Sequence, residues 1–149
     1  MRKIFIASAL VLLIIGAVLM WRKLHPPLTD EQQIAAALDG ITAAAGARSP
    51  RGIADFLAKD FQFGNTGKSE FQNSLVGGIL QYRVIDLRLA STTTDVNGST
   101  AKSEGRYILS LKSEFTSSPE VFAGKFVLKW RKDEGQWLVI RAQGEQTPG

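Results

Sequence analysis

Asp60 and Asp86, with the only two phenols, Tyr82 and Tyr107, are the residues this sequence could set against one another for acid–base work. An aspartate desolvated in an apolar pocket becomes a usable general base, and a phenol can donate a hydrogen bond to the oxygen of a small carbonyl substrate. That combination would make an enzyme acting on a small apolar substrate. The other chemistries fall away. Cysteine is absent, which excludes thiol nucleophiles, thiolate metal sites and disulfides. The one histidine, His25, stands next to Pro26 and Pro27 in what reads as a spacer. No spaced set of carboxylates and histidines predicts a metal site, and no motif predicts a cofactor. Gly67-Lys68-Ser69 matches the end of a phosphate-binding loop, but Gln62 stands where that loop requires its first glycine. Ser69 serves better as a helix cap. Asp86 and Arg88 alternate along a strand and read as a solvated face, as do Glu104 and Arg106.

The formal net charge is +4, a sign that suits nucleic acid or an anionic membrane. Its distribution decides between them. Arg2, Lys3, Arg22 and Lys23 flank an apolar N-terminal run and account for the whole excess, so the remainder is electrically balanced. Nucleic acid is therefore not an expected partner, and a basic face for anionic lipid is the electrostatic option left open.

From Ile4 to Trp21 the sequence, IFIASALVLLIIGAVLMW, carries no charge. As a helix it would be about 27 Å long, close to the hydrocarbon thickness of a bilayer. It lacks the small-residue cleavage site of a secretory signal, because it ends in Val18, Leu19, Met20, Trp21 and Arg22. The expectation is a retained single-pass anchor, with Trp21, Arg22 and Lys23 at headgroup level. Residues 1–3 form a short inner tail and residues 22–27 a linker stiffened by the two prolines, which places a domain over residues 28–144 on the periplasmic or extracellular side. Residues 145–149 are left as a tail.

Within the domain, Thr29 and Gln32 fit a capping box, and Ile34, Ala37, Leu38, Ile41 and Ala45 fall on one helical face that Gly46 would end. Ser49 and Pro50 open a second, short helix carrying Ile53, Phe56 and Leu57 inward. Phe61-Gln62-Phe63 has room for a brief strand, and Ser69 with Gln72 predicts a third helix. From Ile79 the period becomes alternating. Asn97-Gly98 is a strong hairpin signal between two long strands. The apolar phase shifts from Leu80, Tyr82 and Val84 to Ile85, Leu87 and Leu89, which predicts a bulge near Arg83 to Ile85. In a last hairpin, Phe122, Gly124, Phe126, Leu128 and Trp130 alternate with Lys125, Lys129 and Arg131, and Asp133-Glu134-Gly135 turns the chain toward Trp137 and Val139.

This order of elements, the FLAKDF ending of the second helix, and the final pattern Phe126-x-Leu128-x-Trp130 followed by Trp137 and Ile140 resemble the nuclear transport factor 2-like (cystatin-like, SnoaL-like) superfamily. The resemblance covers nearly all of residues 28–144. It implies an α+β cone in which three helices pack on a strongly curved antiparallel sheet around an apolar pocket, here lined by Phe63, Tyr82, Val84, Tyr107, Phe126, Leu128, Trp130 and Trp137. It also implies that sheets pair into homodimers in many members. Where isomerases of this superfamily place a catalytic aspartate a few residues beyond Asp60, this sequence has Asn65, which cannot serve as a base. The dehydratase type needs a histidine that the domain lacks. The expectation is therefore a non-catalytic module that binds a small apolar ligand or an envelope protein, with the enzyme built on Asp60 or Asp86 and Tyr82 or Tyr107 as the alternative.

Overall fold

The computed structural model describes the backbone of residues 2–147 and the side chains from Leu10 to Thr147. Its first element is a helix, α1, Arg2–Leu24. Every described side chain from Leu10 to Leu24 is exposed, Leu12, Leu13 and Met20 by about 70%. Ile4 to Ala9 of the expected membrane span lie outside the residues whose side chains are described. Among the described residues no helix is long and apolar enough to cross a membrane.

The domain begins with α2, Asp30–Gly46, and its start follows from local chemistry. Thr29 Oγ1 accepts from the Gln32 amide at 3.2 Å, and Gln32 Oε1 accepts from the Thr29 amide at 3.0 Å, which satisfies two donors that a helix end leaves free. The helix ends one residue later than its glycine would suggest. Gly46 is the last helical residue, and Arg48, at a φ of 56°, turns the chain. Ser49 Oγ then caps α3, Pro50–Ala54, by accepting from the Gly52 amide at 2.9 Å. This helix stops before Leu57, which opens β1, Leu57–Phe63. After a turn at Gly64-Asn65, β2, Thr66–Gly67, folds back on Gln62 and Phe63. The chain leaves β2 directly into α4, Lys68–Gln81.

Four long strands complete the fold: β3, Val84–Asn97; β4, Thr100–Lys112; β5, Glu120–Asp133; and β6, Gln136–Gln146. The sheet order is β2-β1-β6-β5-β4-β3. Gly98 turns the β3–β4 hairpin at a φ of 62°. Glu134 and Gly135 turn β5 into β6, both at positive φ. Alternation does the rest: Ala101, Ser103, Phe126, Trp130, Trp137 and Val139 face the helices and are buried, while Lys102, Glu104, Lys125, Lys129 and Arg141 face away.

Several expectations are corrected. The sheet is mixed, because β1 pairs with β6 in parallel, with Leu57 opposite Val139 and Phe63 opposite Ala142. The first strand is also longer than Phe61-Gln62-Phe63. Ser69 does not cap the third helix: Gly67 holds that position without a side-chain hydrogen bond, since the short β1–β2 hairpin already sets the chain's direction. The phase shift near Arg83 marks the end of α4 at Gln81 rather than a bulge. The bulge lies between Ala90 and Thr93, where Ser91 has a φ of 53°. The last strand runs past residue 144 to Gln146, leaving Thr147 to donate to the Ala123 carbonyl at 2.8 Å. Pro148 and Gly149 lie outside the described residues.

The core gathers Ile34, Leu38, Leu57, Phe61, Trp130, Trp137 and Val139. Each such side chain, fully removed from water, contributes about 1.5–3 kcal/mol. Burying a tryptophan also requires a partner for its N–H. Trp130 is fully buried, and its Nε1 donates to Ser103 Oγ at 3.0 Å; Ser103 is itself fully buried and shares a hydrogen bond with Thr94 Oγ1 at 2.8 Å. Trp137 Nε1 donates to Asp30 Oδ1 at 3.0 Å. Ser103→Ala should strand the Trp130 N–H and lower the unfolding free energy by about 1–3 kcal/mol, read from urea denaturation of the two proteins.

Candidate functional site

A cavity of about 410 Å3 opens between the helices and the first half of the β3–β4 hairpin. α2 contributes Ile41 and Ala45, α3 Ile53, and α4 Phe71, Leu75, Gly78 and Ile79. The opposite wall comes from two cross-strand pairs, Ile85 with Leu111 and Leu87 with Leu109. Such a volume suits a small-molecule site. Its walls offer almost nothing polar. No Asp, Glu, His, Lys or Arg lines it, and only Ser74 and Tyr82 bring side-chain oxygens. Ser74 donates to the Glu70 carbonyl of its own helix at 3.0 Å. Tyr82 OH donates outward to Glu120 Oε2 at a long 3.4 Å. Arg48, which does not line the cavity, donates to the Ile79 carbonyl at 3.0 Å and so closes the end of α4.

The residues expected to do chemistry are not brought together here. Asp60 lies across the sheet, where Arg131 grips it through two hydrogen bonds of 2.9 Å. The same guanidinium holds Asp133 at 2.8 and 2.9 Å. Asp86 pairs with Arg88 at 3.0 Å in solvent. Asn65 sits exposed in the β1–β2 turn. Lys68 donates to the Leu57 carbonyl at 2.9 Å and so ties α4 to β1.

Of the residues expected to line the pocket, Tyr82 alone borders this cavity; Phe126 and Trp137 border shallower hollows elsewhere. Trp130, Trp137 and Phe126 are buried. Phe63 is partly exposed, its ring 5.5 Å from Phe71. Tyr107 packs across Gly124, where a β-carbon would collide with the Tyr107 ring and with the Glu145 carbonyl. Val84 and Leu128 are half-buried and do not line the cavity. The residues that do, on α4 and at Ile85, Leu87, Leu109 and Leu111, were visible in the sequence as apolar positions. What could not be read was that the helices stand away from this end of the sheet, so that these positions border a gap while the tryptophan end closes.

The electrostatics agree with this division. Asp30 is held below the usual carboxylate range by its hydrogen bond from Lys132, at 2.8 Å, and then by that from Trp137. Asp60 and Asp133 are lowered chiefly by their hydrogen bonds from Arg131, whose own guanidinium is correspondingly raised. These carboxylates stay ionised and act as structural acceptors, the opposite of a poised base.

No protein-family model and no curated protein matches this chain. Its similarity lies with solved structures. A nuclear transport factor 2-like superfamily protein from Salmonella enterica aligns at 15% identity over 79% of this chain and 91% of that one, with a TM-score of 0.69. A candidate dehydratase of the nuclear transport factor 2-like family from Streptomyces avermitilis aligns at 14% identity, covering 83% and 100%, with a TM-score of 0.72. A protein of unknown function with a cystatin-like fold from Nostoc punctiforme aligns at 15% identity, covering 82% and 96%, with a TM-score of 0.67. The domain thus has the nuclear transport factor 2-like fold, with helices packed on a curved sheet.

Because the aspartates titrate lower in the folded protein than in the unfolded chain, their contribution to stability is complete above the ordinary carboxylate value of about 3.9 and is lost as pH falls through their lowered values. Urea midpoints should therefore be flat near neutrality and fall below about pH 4. Asp60→Asn should shallow that acid limb.

Proposed function

We propose that the chain is a membrane-anchored, non-catalytic binding module whose cavity holds a small apolar molecule on the extracytoplasmic side of the bilayer. One observation carries the reading: the cavity presents aliphatic and aromatic carbon on every wall and no ionisable carboxylate, imidazole or amine. Such a site gains affinity by releasing water from apolar surface, and its one phenol, Tyr82, turns its hydroxyl toward Glu120. The anchor is supported by the exposed apolar residues of α1, among them Leu10, Leu12, Leu13, Ile14, Leu19 and Met20, which water would not leave uncovered. The described part of the run, Leu10 to Trp21, falls short of the roughly 20 residues that a crossing takes, and Ile4 to Ala9 would supply the remainder. Arg22 and Lys23 in the last turn suit headgroup level.

A second reading, an enzyme, draws on the Tyr82–Glu120 contact beside the cavity and on the dehydratase named among the similar structures. Gly78 separates the two. It lines the cavity, and a β-carbon there meets nothing within 4 Å. Gly78→Leu should fill the space while improving the helix by up to about 1 kcal/mol. The full-length chain, extracted in lipid nanodiscs, is stripped with organic solvent and the extract read by mass spectrometry. The expected result is one apolar species bound to the natural chain and depleted at least about tenfold in Gly78→Leu, with an unfolding midpoint that is unchanged or higher. Equal recovery from both proteins, or none from either, would overturn the binding reading. A different compound accumulating in Tyr82→Phe or Glu120→Gln would favour the enzyme.

A further inference from the structure

The face of the sheet turned away from the helices carries an arrangement that folding alone does not explain. In register across five strands stand Asp95, Lys102, Lys129, Arg141 and Gln62. Residues directly opposite one another in neighbouring strands have β-carbons only about 4.5–5.5 Å apart, and like charges so placed are destabilising. Here three cations succeed one another. Two outward rows further on, Arg106 faces Lys125 in the same way.

Internal compensation is thin. Lys102 reaches Glu104 at 3.5 Å, and Arg141 reaches only the Gln62 amide oxygen, at 3.4 Å. Glu145 stands opposite Lys125 in register, yet among the described residues Arg106, Lys125, Lys129 and Arg141 have no carboxylate within salt-bridge distance. The contrast with the end of the same hairpin is sharp, since Arg131 and Lys132 are both paired with aspartates. A counter-charge from outside would relieve the row.

We propose that this face rests on anionic phospholipid headgroups of the bilayer that holds α1. The proposal rests on the reading of α1 as an anchor. Lys132 is tied to Asp30, the first residue of α2, and Lys129 lies about 10 Å back along β5 at roughly 3.3 Å per residue. The spacer from His25 to Thr29 adds at most about 20 Å. The row therefore lies within reach of the surface where Arg22 and Lys23 would sit. Its composition does not suit a strand of nucleic acid, because the outward residues between the two cationic rows are Glu104, Val127 and Gln143, with no aromatic on which a base could stack.

The absence of cysteine allows a single fluorophore at Gln143→Cys, beside the row, and a control at Val76→Cys on the exposed side of α4. The full-length chain is reconstituted into vesicles of phosphatidylcholine alone, or mixed with phosphatidylglycerol, each doped with a headgroup-bound quencher. The expected result is quenching at Gln143 only in the anionic vesicles. It should be lost at high salt, as screening shortens, and in a Lys102→Gln, Lys129→Gln, Arg141→Gln variant that folds at least as stably, with Val76 unaffected throughout. Quenching of equal size in neutral vesicles, or none in anionic ones, would overturn the proposal, as would release of the face from anionic vesicles by a single-stranded oligonucleotide. Flotation with neutral vesicles at high salt reports the anchor separately. A chain that floats but shows no anionic-dependent quenching refutes this face alone, and a chain that does not float refutes the anchor.

Discussion

Two indole N–H groups, one fully enclosed and one at the edge of the interior, each with an acceptor there, fix the geometry of this domain. Trp130 finds Ser103 on the neighbouring strand, and Trp137 finds Asp30 at the first turn of α2. The first bond locks β5 against β4 at its buried centre. The second joins a helix to a hairpin more than a hundred residues away in the chain, and Lys132 reinforces it on the same carboxylate oxygen. A buried donor without a partner costs about 1–3 kcal/mol, so these bonds select one docking of α2 among many that would satisfy its apolar face equally well.

That docking determines where space is left. With its N-terminus pinned at the tips of the hairpins, α2 runs back across the sheet so that its last turns, at Ile41 and Ala45, meet β3 near its start. The tight end is filled by tryptophan, phenylalanine and isoleucine, while the other end is bounded by small and aliphatic residues and stays open. The polar groups are sorted in the same way. The ion pairs of Asp30, Asp60 and Asp133 cluster at the tryptophan end, and the cavity end has carbon walls.

Much of this was legible from the residues. Alternation along β4, β5 and β6 assigned the buried and solvated faces, Asn97-Gly98 placed a hairpin, and Thr29 with Gln32 marked a helix start, because each signal is local and rests on one dominant interaction. The parallel pairing of β1 with β6 was not legible, since nothing in Leu57–Phe63 names a partner some eighty positions on. The phase change near Arg83 is visible in the sequence but does not say which feature it marks, because a helix end and a bulge shift an apolar pattern alike. The expected pocket failed for a related reason. Bulky aromatic residues suggest the lining of a hollow, whereas here Phe126, Trp130 and Trp137 close the interior, and the hollow belongs mainly to Leu and Ile with Phe71 and Tyr82.

The strand order has a temporal side. Synthesis delivers β1 early, but its long neighbour β6 follows some eighty residues later, so the seam between them cannot zip until β3, β4 and β5 have also been made. Until then, between the emergence of Phe63 and that of Val139, the nascent body carries an unmatched ribbon edge and an uncovered greasy surface.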